Sequence, residues 1–284
     1  MTTLSCAAPA KLNLFLHVVG RRADGYHLLQ TLFRFIDLND TLHFRIREDG
    51  EIHRINQITS VPETDDLCVR AAKLLQKTTG CRLGVDIQLE KLIPMGGGLG
   101  GGSSDAATTL LALNRLWQLH LSREQLMELG LTLGADVPVF IFGENAFAEG
   151  VGEKLHAYDL PEAWYLVLTP PVHVPTAQIF TDPELTRNTI SMTMRALPIG
   201  RLFRCGQFGN DLQPVACRLY PVIKEYLATL SQYSPALMTG SGACVFAEFT
   251  SEAAATAVLK KLPSNMNGFV VRGLQHHPMR EFSA

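Results

Sequence analysis

The chain contains 284 residues, of which 46% are hydrophobic and 18% are charged, and its formal net charge is -2. This apolar content excludes a largely disordered chain, because enough surface can be buried to offset the conformational entropy lost on folding. The small net charge provides no basic field for a nucleic-acid backbone, and the length predicts two domains.

The N-terminal residues and the cysteines indicate where the protein works. The chain opens without the basic region and apolar run of a secretory signal, and no apolar stretch approaches the ~20 residues of a membrane span. No two cysteines form a Cys-x-x-Cys pair, so neither a zinc knuckle nor a redox motif is indicated. The cysteines are Cys6, Cys68, Cys81, Cys205, Cys217 and Cys244. We therefore expect a cytoplasmic protein with reduced thiols, no membrane partner and no nucleic-acid partner.

In the first half of the chain, strands are predicted where polar and apolar residues alternate. These strands lie at residues 11–19, 29–36, 41–47 and 84–89. Apolar residues at helical spacing predict helices at residues 66–76 and 105–117. A capping box of Ser122 and Gln125 predicts the start of a further helix, which reaches about Leu133. Residues 146–152 are expected to form either a strand or a loop.

A domain boundary is predicted between residues 155 and 164, where Pro161 separates two ordered patterns. The first domain then covers residues 1–157 and the second covers residues 158–284. In the second domain, strands are predicted at 165–169, at 268–274 and on both sides of a glycine turn within 236–249, with helices around 215–230 and at 251–262. Two strands, a helix and a closing strand indicate a split β-α-β domain of ferredoxin-like type in an α+β protein.

Residues 94–104, with the sequence Pro-Met-Gly-Gly-Gly-Leu-Gly-Gly-Gly-Ser-Ser, contain six glycines in seven positions. Glycines bring no side chains to a core, but their backbone N–H groups can approach an anion without hindrance from Cβ atoms. The helix predicted next adds free N–H groups and the positive end of its dipole. The segment therefore predicts a binding site for a di- or triphosphate, and we name it the phosphate loop.

Other interpretations of the phosphate loop fit less well. A flexible linker or a plain tight turn is disfavoured, because the segment joins a strand to a helix. A Walker P-loop would end in Gly-Lys-Ser/Thr, whereas here Ser103 follows Gly102. A dinucleotide-binding fingerprint would follow the first strand of a β-α-β run. Since the P-loop lysine is missing, Mg²⁺ and a distant lysine are the candidates for neutralising the bound phosphates.

Three motifs carry a resemblance to a known family. The phosphate loop resembles the Pro-x3-Gly-Leu-Gly-Ser-Ser loop of the GHMP kinases (galactokinase, homoserine kinase, mevalonate kinase and phosphomevalonate kinase). Ala8-Pro-Ala-Lys-Leu-Asn-Leu is similar to the first motif of that family, and Met238-Thr-Gly-Ser-Gly-Ala-Cys-Val-Phe to its third. The resemblance implies an N-terminal domain like domain 2 of ribosomal protein S5, a ferredoxin-like C-terminal domain and an active site in the cleft between them. It also implies ATP with Mg²⁺ as the phosphoryl donor, with no protein ligand of the metal assigned.

Further motifs resemble the GHMP kinases that phosphorylate the 2-hydroxyl of a cytidyl diphosphate ester of methylerythritol, in the non-mevalonate route to isoprenoid precursors. These motifs are Arg22-Ala-Asp-Gly-Tyr-His, Leu133-Gly-Ala-Asp-Val-Pro-Val-Phe and Ile179-Phe-Thr-Asp-Pro-Glu-Leu. The implied partner is a small-molecule cytidyl diphosphate, and we expect a monomer or a weak homodimer. A homoserine- or mevalonate-type kinase is disfavoured by the Tyr26-His27 pair. A non-catalytic nucleotide-binding relative is disfavoured because Lys11 and Asp136 are both present.

The resemblance implies a role for individual residues. Asp136 matches the catalytic carboxylate that takes the proton of the attacking hydroxyl, although its place before Pro138 also fits a helix N-cap. Lys11 matches the catalytic lysine, which would keep Asp136 ionised and stabilise the attacking oxygen; a solvated strand end is the alternative. The implied substrate-binding residues are Asn13, Tyr26, His27, Thr176 and Phe180.

The implied ATP-binding residues are Pro94, Met95, Gly96, Gly97, Gly98, Leu99, Gly100, Gly101, Gly102, Ser103, Ser104 and Asp66. The hydroxyls of Ser103 and Ser104 are expected both to cap the following helix and to reach the phosphates. Two positions depart from the family pattern, because Asp66 and Asp105 stand where an asparagine is expected. Asp105 favours the helix dipole but adds negative charge near the phosphates.

Overall fold

The computed structural model describes residues 3–58, 61–197 and 208–282, and Cys205 lies outside these ranges. The chain forms a mixed α/β fold around two sheets. The six strands of the first sheet all come from residues before 158, and the four strands of the second come from residues 164–272. No helix in the described ranges is long and apolar enough to cross a membrane.

The first domain combines the six-stranded sheet with four helices. Its strands are β1 (Thr3–Arg21), β2 (His27–Arg47), β3 (Ile52–Arg54), β4 (Gly84–Glu90), β5 (Ala146–Glu149) and β6 (Lys154–Ala157). Its helices are α1 (Leu67–Thr79), α2 (Gly101–Leu116), α3 (Arg123–Leu133) and α4 (Val137–Phe142). The sheet order is β3-β4-β2-β5-β6, and β1 pairs with β2 along most of its length.

The long strand β2 supplies side chains to two cores, because successive residues of a strand point to opposite faces. Phe33 and Phe35 pack with residues of α1, α2 and α4 inside the first domain. Leu32 and Ile36 face the other way and pack with Tyr165 and other residues of the second domain. The first sheet therefore serves both as the base of its own core and as the surface on which the second domain rests.

In the described residues, the second domain combines four strands with four α-helices. The strands are β7 (Trp164–Leu168), β8 (Ala236–Met238), β9 (Val245–Phe249) and β10 (Gly268–Arg272). The helices are α5 (Thr176–Thr181), α6 (Gln213–Leu219), α7 (Pro221–Leu230) and α8 (Glu252–Leu259). All pairs are antiparallel in the order β10-β7-β9-β8, which is the ferredoxin-like order of a split β-α-β unit.

The structure differs from the predicted elements at several points. The strands predicted at 29–36 and 41–47 are parts of the single strand β2, and the polar residues between them produce a register shift opposite Pro9 and Ala10. The short strand β3 was not predicted. The helix predicted around 215–230 is divided into α6 and α7 at Pro221, because proline has no N–H group with which to continue a helix.

Residues 273–282, which we name the return segment, leave the second domain and pack on the first. Leu274 N donates to Phe35 O at 2.8 Å, and His277 N donates to Gly143 O at 2.9 Å. The imidazole of His277 is buried and packs edge-on against the rings of Phe35 and Phe140. The boundary at residue 157 thus stays a prediction, since the final residues of the predicted second domain complete the packing of the first.

Candidate active site

A cleft of about 1100 Å³ lies between the two domains. The first domain contributes β1, the phosphate loop and the start of α4, while the second contributes the residues around α5 and the turn between β8 and β9. Both predicted catalytic residues line this cleft. So does every residue predicted to bind ATP or substrate, with the exception of Ser104. Their positions span residues 11 to 180, so only the tertiary fold brings them together.

The carbonyl groups of the phosphate loop face the protein. Gly97 O accepts from Cys244 N at 3.1 Å, and Leu99 O accepts from Lys11 N at 2.9 Å. Gly98 O accepts from the Lys11 ammonium at 2.9 Å. Within the described part of the chain, no backbone N–H from Gly96 to Ser103 donates a hydrogen bond. Because these three carbonyls are anchored while the neighbouring N–H groups are left free, the loop is arranged to receive an anion.

Helix α2 begins inside the phosphate loop, four residues earlier than predicted. Its N-cap is Gly100, in the left-handed conformation, and no side chain caps the helix. The predicted cap at Ser103 or Ser104 is therefore wrong. Ser103 lines the cleft, whereas Ser104 is fully buried and does not. The early start brings the free N–H groups of the first helical turn directly to the cleft wall.

Close packing against the second domain requires glycine at position 98. Its φ of +76° is in the left-handed region, and a Cβ there would lie 2.1 Å from Thr239 O. Thr239 belongs to the turn between β8 and β9, and its hydroxyl donates to Gly98 O at 3.3 Å. The phosphate loop of one domain and the glycine turn of the other are therefore in direct backbone contact.

Lys11 and Asp136 meet in the cleft. The Lys11 ammonium is 3.3 Å from Asp136 Oδ2, and it also donates to Asn13 Oδ1 at 2.5 Å and to Gly98 O at 2.9 Å. The Lys11 side chain is 3% exposed, whereas that of Asp136 is 36% exposed. Three acceptors surround the ammonium, which satisfies a buried charge, and the carboxylate faces the cleft.

Asp136 does not cap helix α4. It occupies the N-cap position before Pro138, but its side chain makes no capping hydrogen bond and its backbone is in the right-handed helical region. The carboxylate contacts the Lys11 ammonium and remains accessible to a ligand in the cleft.

Asn13 connects the lysine to the sheet. Its Oδ1 accepts from Lys11, while its Nδ2 donates to Thr31 Oγ1 at 2.9 Å and its backbone N donates to Thr239 Oγ1 at 3.0 Å. Asn13 is buried, and both ends of its amide are occupied by protein groups. These contacts hold Lys11 in place, and the predicted contact of Asn13 with a substrate stays a prediction.

Aromatic and polar groups form the outer end of the cleft. The rings of His27 and Phe180 are 5.1 Å apart, and the Tyr26 ring is largely exposed. His27 Nε2 accepts from Arg187 Nε at 3.1 Å. Burial, followed by the charges of Arg187 and Arg21, lowers the pKa of His27, so its imidazole is neutral at pH 7 with the proton on Nδ1. Thr176 is 2.8 Å from the Ser241 hydroxyl, which links α5 to the glycine turn.

Asp66 lies at the opposite end and is held by protein groups. Its Oδ1 caps helix α1 by accepting from Cys68 N at 2.7 Å, and its Oδ2 pairs with Arg54 at 2.6 Å. An asparagine could also cap the helix but could not neutralise Arg54, which gives a physical reason for the aspartate at this position.

Several residues of the site could not be found from their own motifs. Arg187 fixes the tautomer of His27 across 160 positions of sequence, and no local pattern marks it. Thr239 lies within the third family motif, so that motif was its only signal. Lys91 lies on the cleft wall beside Asp105 and was not predicted.

Two family models match the chain. The model described as GHMP kinases N terminal domain matches residues 66–144, and the model described as GHMP kinases C terminal matches residues 193–268. The chain is 63% identical over 279 residues to the 4-diphosphocytidyl-2-C-methyl-D-erythritol kinase of Nitrosomonas europaea, and the matched region covers 97% of this chain and 98% of that protein. It is 60% identical to the protein of the same name from Nitrosospira multiformis, which covers 99% of this chain and 94% of that protein.

Solved structures agree with these relatives. A crystal structure of 4-(cytidine 5'-diphospho)-2C-methyl-D-erythritol kinase superposes with a TM-score of 0.79 at 34% identity, covering 95% of this chain and 99% of that one. A mevalonate kinase gives a TM-score of 0.66 at 17% identity, covering 95% of this chain and 99% of that one, which is a likeness of the fold alone.

Proposed function

This chain belongs to the GHMP kinase family, and we propose that it transfers the γ-phosphate of ATP to the 2-hydroxyl of 4-diphosphocytidyl-2-C-methyl-D-erythritol, in the non-mevalonate route to isoprenoid precursors. The names of its relatives support this substrate. The observation that carries the proposal is the Lys11–Asp136 pair, which faces the cleft directly beside the phosphate loop.

Asp136 is the base in the proposed mechanism. An alcohol is a weak nucleophile, and a carboxylate at its proton assists attack on the γ-phosphate. The Lys11 ammonium, 3.3 Å from Asp136 Oδ2, stabilises negative charge as it develops on the attacking oxygen. Since Lys11 also donates to Gly98 O, the position of this pair is fixed relative to the phosphate loop. A base and a phosphate site held at one distance are what in-line transfer requires.

The free N–H groups of the phosphate loop and of the first turn of α2 would bind the phosphates of ATP. The described residues contain no group of three or more His, Cys, Asp or Glu side chains that could hold a metal. Mg²⁺ retains several waters and is bound chiefly through substrate phosphates, so it would need no dedicated cage of protein ligands. When bound, Mg²⁺ supplies charge neutralisation between the phosphates.

The outer end of the cleft would recognise the cytidine group. The neutral imidazole of His27 presents an N–H donor on Nδ1, because Arg187 occupies Nε2, and the edge of cytosine carries acceptors for such a donor. The rings of Tyr26 and Phe180 offer flat apolar surfaces on which a pyrimidine can stack. Mevalonate and homoserine have no base to use these groups, so the same features disfavour those substrates.

We also propose that the protein works in the cytoplasm. The five cysteines in the described ranges are all free thiols, which supports a reducing compartment such as the cytoplasm. A monomer or a weak homodimer remains our expectation.

Turnover with purified protein tests the function. ATP, Mg²⁺ and one acceptor are supplied, and ADP release is measured for the cytidyl diphosphate, mevalonate and homoserine in turn. We expect turnover with the first only. Absence of turnover with the cytidyl diphosphate would refute the proposal.

The variant Asp136→Asn tests the role of the base. We expect kcat to fall about 10²- to 10⁴-fold, the usual contribution of a general base, while the Kd for ATP changes little, because Lys11 keeps Asn13 and Gly98 as acceptors. Asp159→Asn removes an exposed carboxylate outside the cleft and serves as the control. A parallel loss of ATP binding in Asp136→Asn would instead indicate a structural role.

A further inference from the structure

Asp40, Lys91 and Asp105 form a cluster in the wall of the cleft beside the phosphate loop. The Lys91 ammonium donates to Asp105 Oδ2 at 2.8 Å and to Asp40 Oδ2. Both carboxyl groups are almost completely buried, and Lys91 and Asp105 line the cleft. A Cβ at Gly101 would lie 3.2 Å from Lys91 Nζ, so the ammonium rests against the first residue of helix α2.

Two carboxyl groups and one ammonium carry a net charge of -1 when all three are ionised. The other titratable groups nearby do not offset this charge. On α1, Asp66 is already paired with Arg54, and the thiol of Cys68 is neutral, because burial and then the charges of Asp105 and Asp66 raise its pKa well above the usual value. An uncompensated buried charge is costly, and here it would also face the phosphates of a bound nucleotide.

The hydrogen bonds show which carboxyl group takes a proton. Asp40 Oδ1 accepts from Leu92 N at 2.6 Å and from Ile93 N at 2.8 Å, and its Oδ2 accepts from Lys91. Asp40 thus accepts three hydrogen bonds on its two oxygens. Asp105 accepts from Lys91 and lies within hydrogen-bonding reach of Asp40, but no backbone N–H donates to its side chain, and its Oδ1 is buried without a partner among the described residues. The proton therefore belongs on Asp105.

The electrostatics of the cluster agree with this assignment. Burial raises the pKa of Asp105 to about 8, with Lys91 opposing the shift and Asp40 adding to it. Burial alone would lower the pKa of Lys91, but the charges of Asp105 and Asp40 raise it, so Lys91 stays charged. The cluster is neutral while Asp105 carries its proton, and it becomes an anion when Asp105 ionises at higher pH.

We propose that the nucleotide binds to the form of the protein in which Asp105 carries a proton, so that nucleotide binding is coupled to the protonation of the Asp40–Lys91–Asp105 cluster. This inference rests on the proposed function, because the ligand is the ATP or ADP of the kinase reaction. The phosphates of the nucleotide are anionic and approach the start of α2, where the Lys91 ammonium lies. A neutral cluster leaves the positive end of the helix dipole effective there, whereas an ionised Asp105 opposes it.

Calorimetric titration with ADP and Mg²⁺ between pH 7 and pH 9, in buffers with different ionisation enthalpies, tests the proposal. We expect the Kd to rise with pH, by up to about tenfold per pH unit once Asp105 ionises, because the binding-competent fraction of the protein falls. The same titrations should show uptake of nearly one proton per nucleotide at pH 9.

The variant Asp105→Asn replaces the protonated carboxyl with an uncharged group of the same shape. We expect it to bind ADP at pH 9 as tightly as the wild type does at pH 7, without proton uptake. Glu90→Gln is the matched control, since it removes an exposed carboxylate next to Lys91 in sequence but outside the cleft, and it should keep the wild-type pH dependence.

The outcomes separate the two proposals. A flat Kd without proton uptake in the wild type would overturn the coupling alone, as would a wild-type pH dependence in Asp105→Asn. Absence of ADP binding at every pH would overturn the proposed function and the coupling with it. If Asp105→Asn fails to fold, the proton uptake of the wild type decides the question by itself.

Discussion

Replacing Gly98 with alanine tests whether contact between the phosphate loop and the glycine turn of the second domain is needed for catalysis. The added Cβ would lie 2.1 Å from Thr239 O and 3.2 Å from Gly242 O. Both neighbours are backbone atoms, so no flexible side chain can move aside. The loop and the turn must therefore separate by about 1 Å for this carbon and oxygen to reach ordinary contact.

Gly80→Ala provides a control with the same backbone strain. Gly80 has a φ of +68° at the end of helix α1, close to the +76° of Gly98, and a Cβ there meets nothing within 4 Å. Alanine in the left-handed region costs about 1–2 kcal/mol at either position. We expect Gly80→Ala to lower the Tm by a few degrees and to leave kcat/KM within about twofold of the wild type.

Gly98→Ala should reduce the activity far more than Gly80→Ala does. Movement of residue 98 shifts the carbonyl oxygen that accepts from Lys11, and a misplacement of about 1 Å can reduce the rate about 100-fold. We expect kcat/KM for ATP to fall at least that far, measured by steady-state ADP release beside thermal unfolding of both variants. If Gly98→Ala keeps the activity of Gly80→Ala at a similar Tm, the contact with Thr239 is not what positions the loop.

Two further changes have separate readouts. Phe180→Leu should raise the KM for the cytidyl substrate about tenfold, since stacking on a base contributes about 1–3 kcal/mol, and an equal rise in the KM for ATP would contradict this assignment. Burial lowers the pKa of His277 to about 3, so its stabilising contribution is complete above pH 6.5 and is lost as the pH falls towards 3. The free energy of unfolding should therefore drop by about 2 kcal/mol from pH 6.5 to pH 5, and urea titrations should show a smaller drop in His277→Gln.

Local sequence patterns predicted most elements because the relevant contacts are local. The capping box of Ser122 and Gln125 is present with both of its hydrogen bonds, and Asp66, the first residue of the helix predicted at 66–76, is the N-cap of α1. The start of α2 was predicted too late, since glycine has a low intrinsic preference for helix. Gly101 and Gly102 are helical because the loop carbonyls are anchored to Lys11 and Cys244, which no local pattern reveals.

The site was predicted from the family resemblance rather than from residue spacing. Lys11 alone suggested a solvated strand end, yet it is buried, because acceptors from β1, the phosphate loop and α4 surround it. The charge of Asp105 was visible in the sequence, but its effect depends on Asp40 and Lys91, which lie 65 and 14 positions away. Such clusters form only through tertiary packing, so the sequence indicated an extra charge near the phosphates but could not predict its protonation state.

The return segment makes the first domain dependent on residues that the ribosome adds after the second domain. His277 packs against the rings of Phe35 and Phe140, and Arg123 donates to Arg280 O, so part of the first core is filled only when these residues arrive. Folding during synthesis therefore cannot finish one domain before the next begins. The contacts that close helix α4, which begins next to Asp136, join positions more than 130 residues apart and form late.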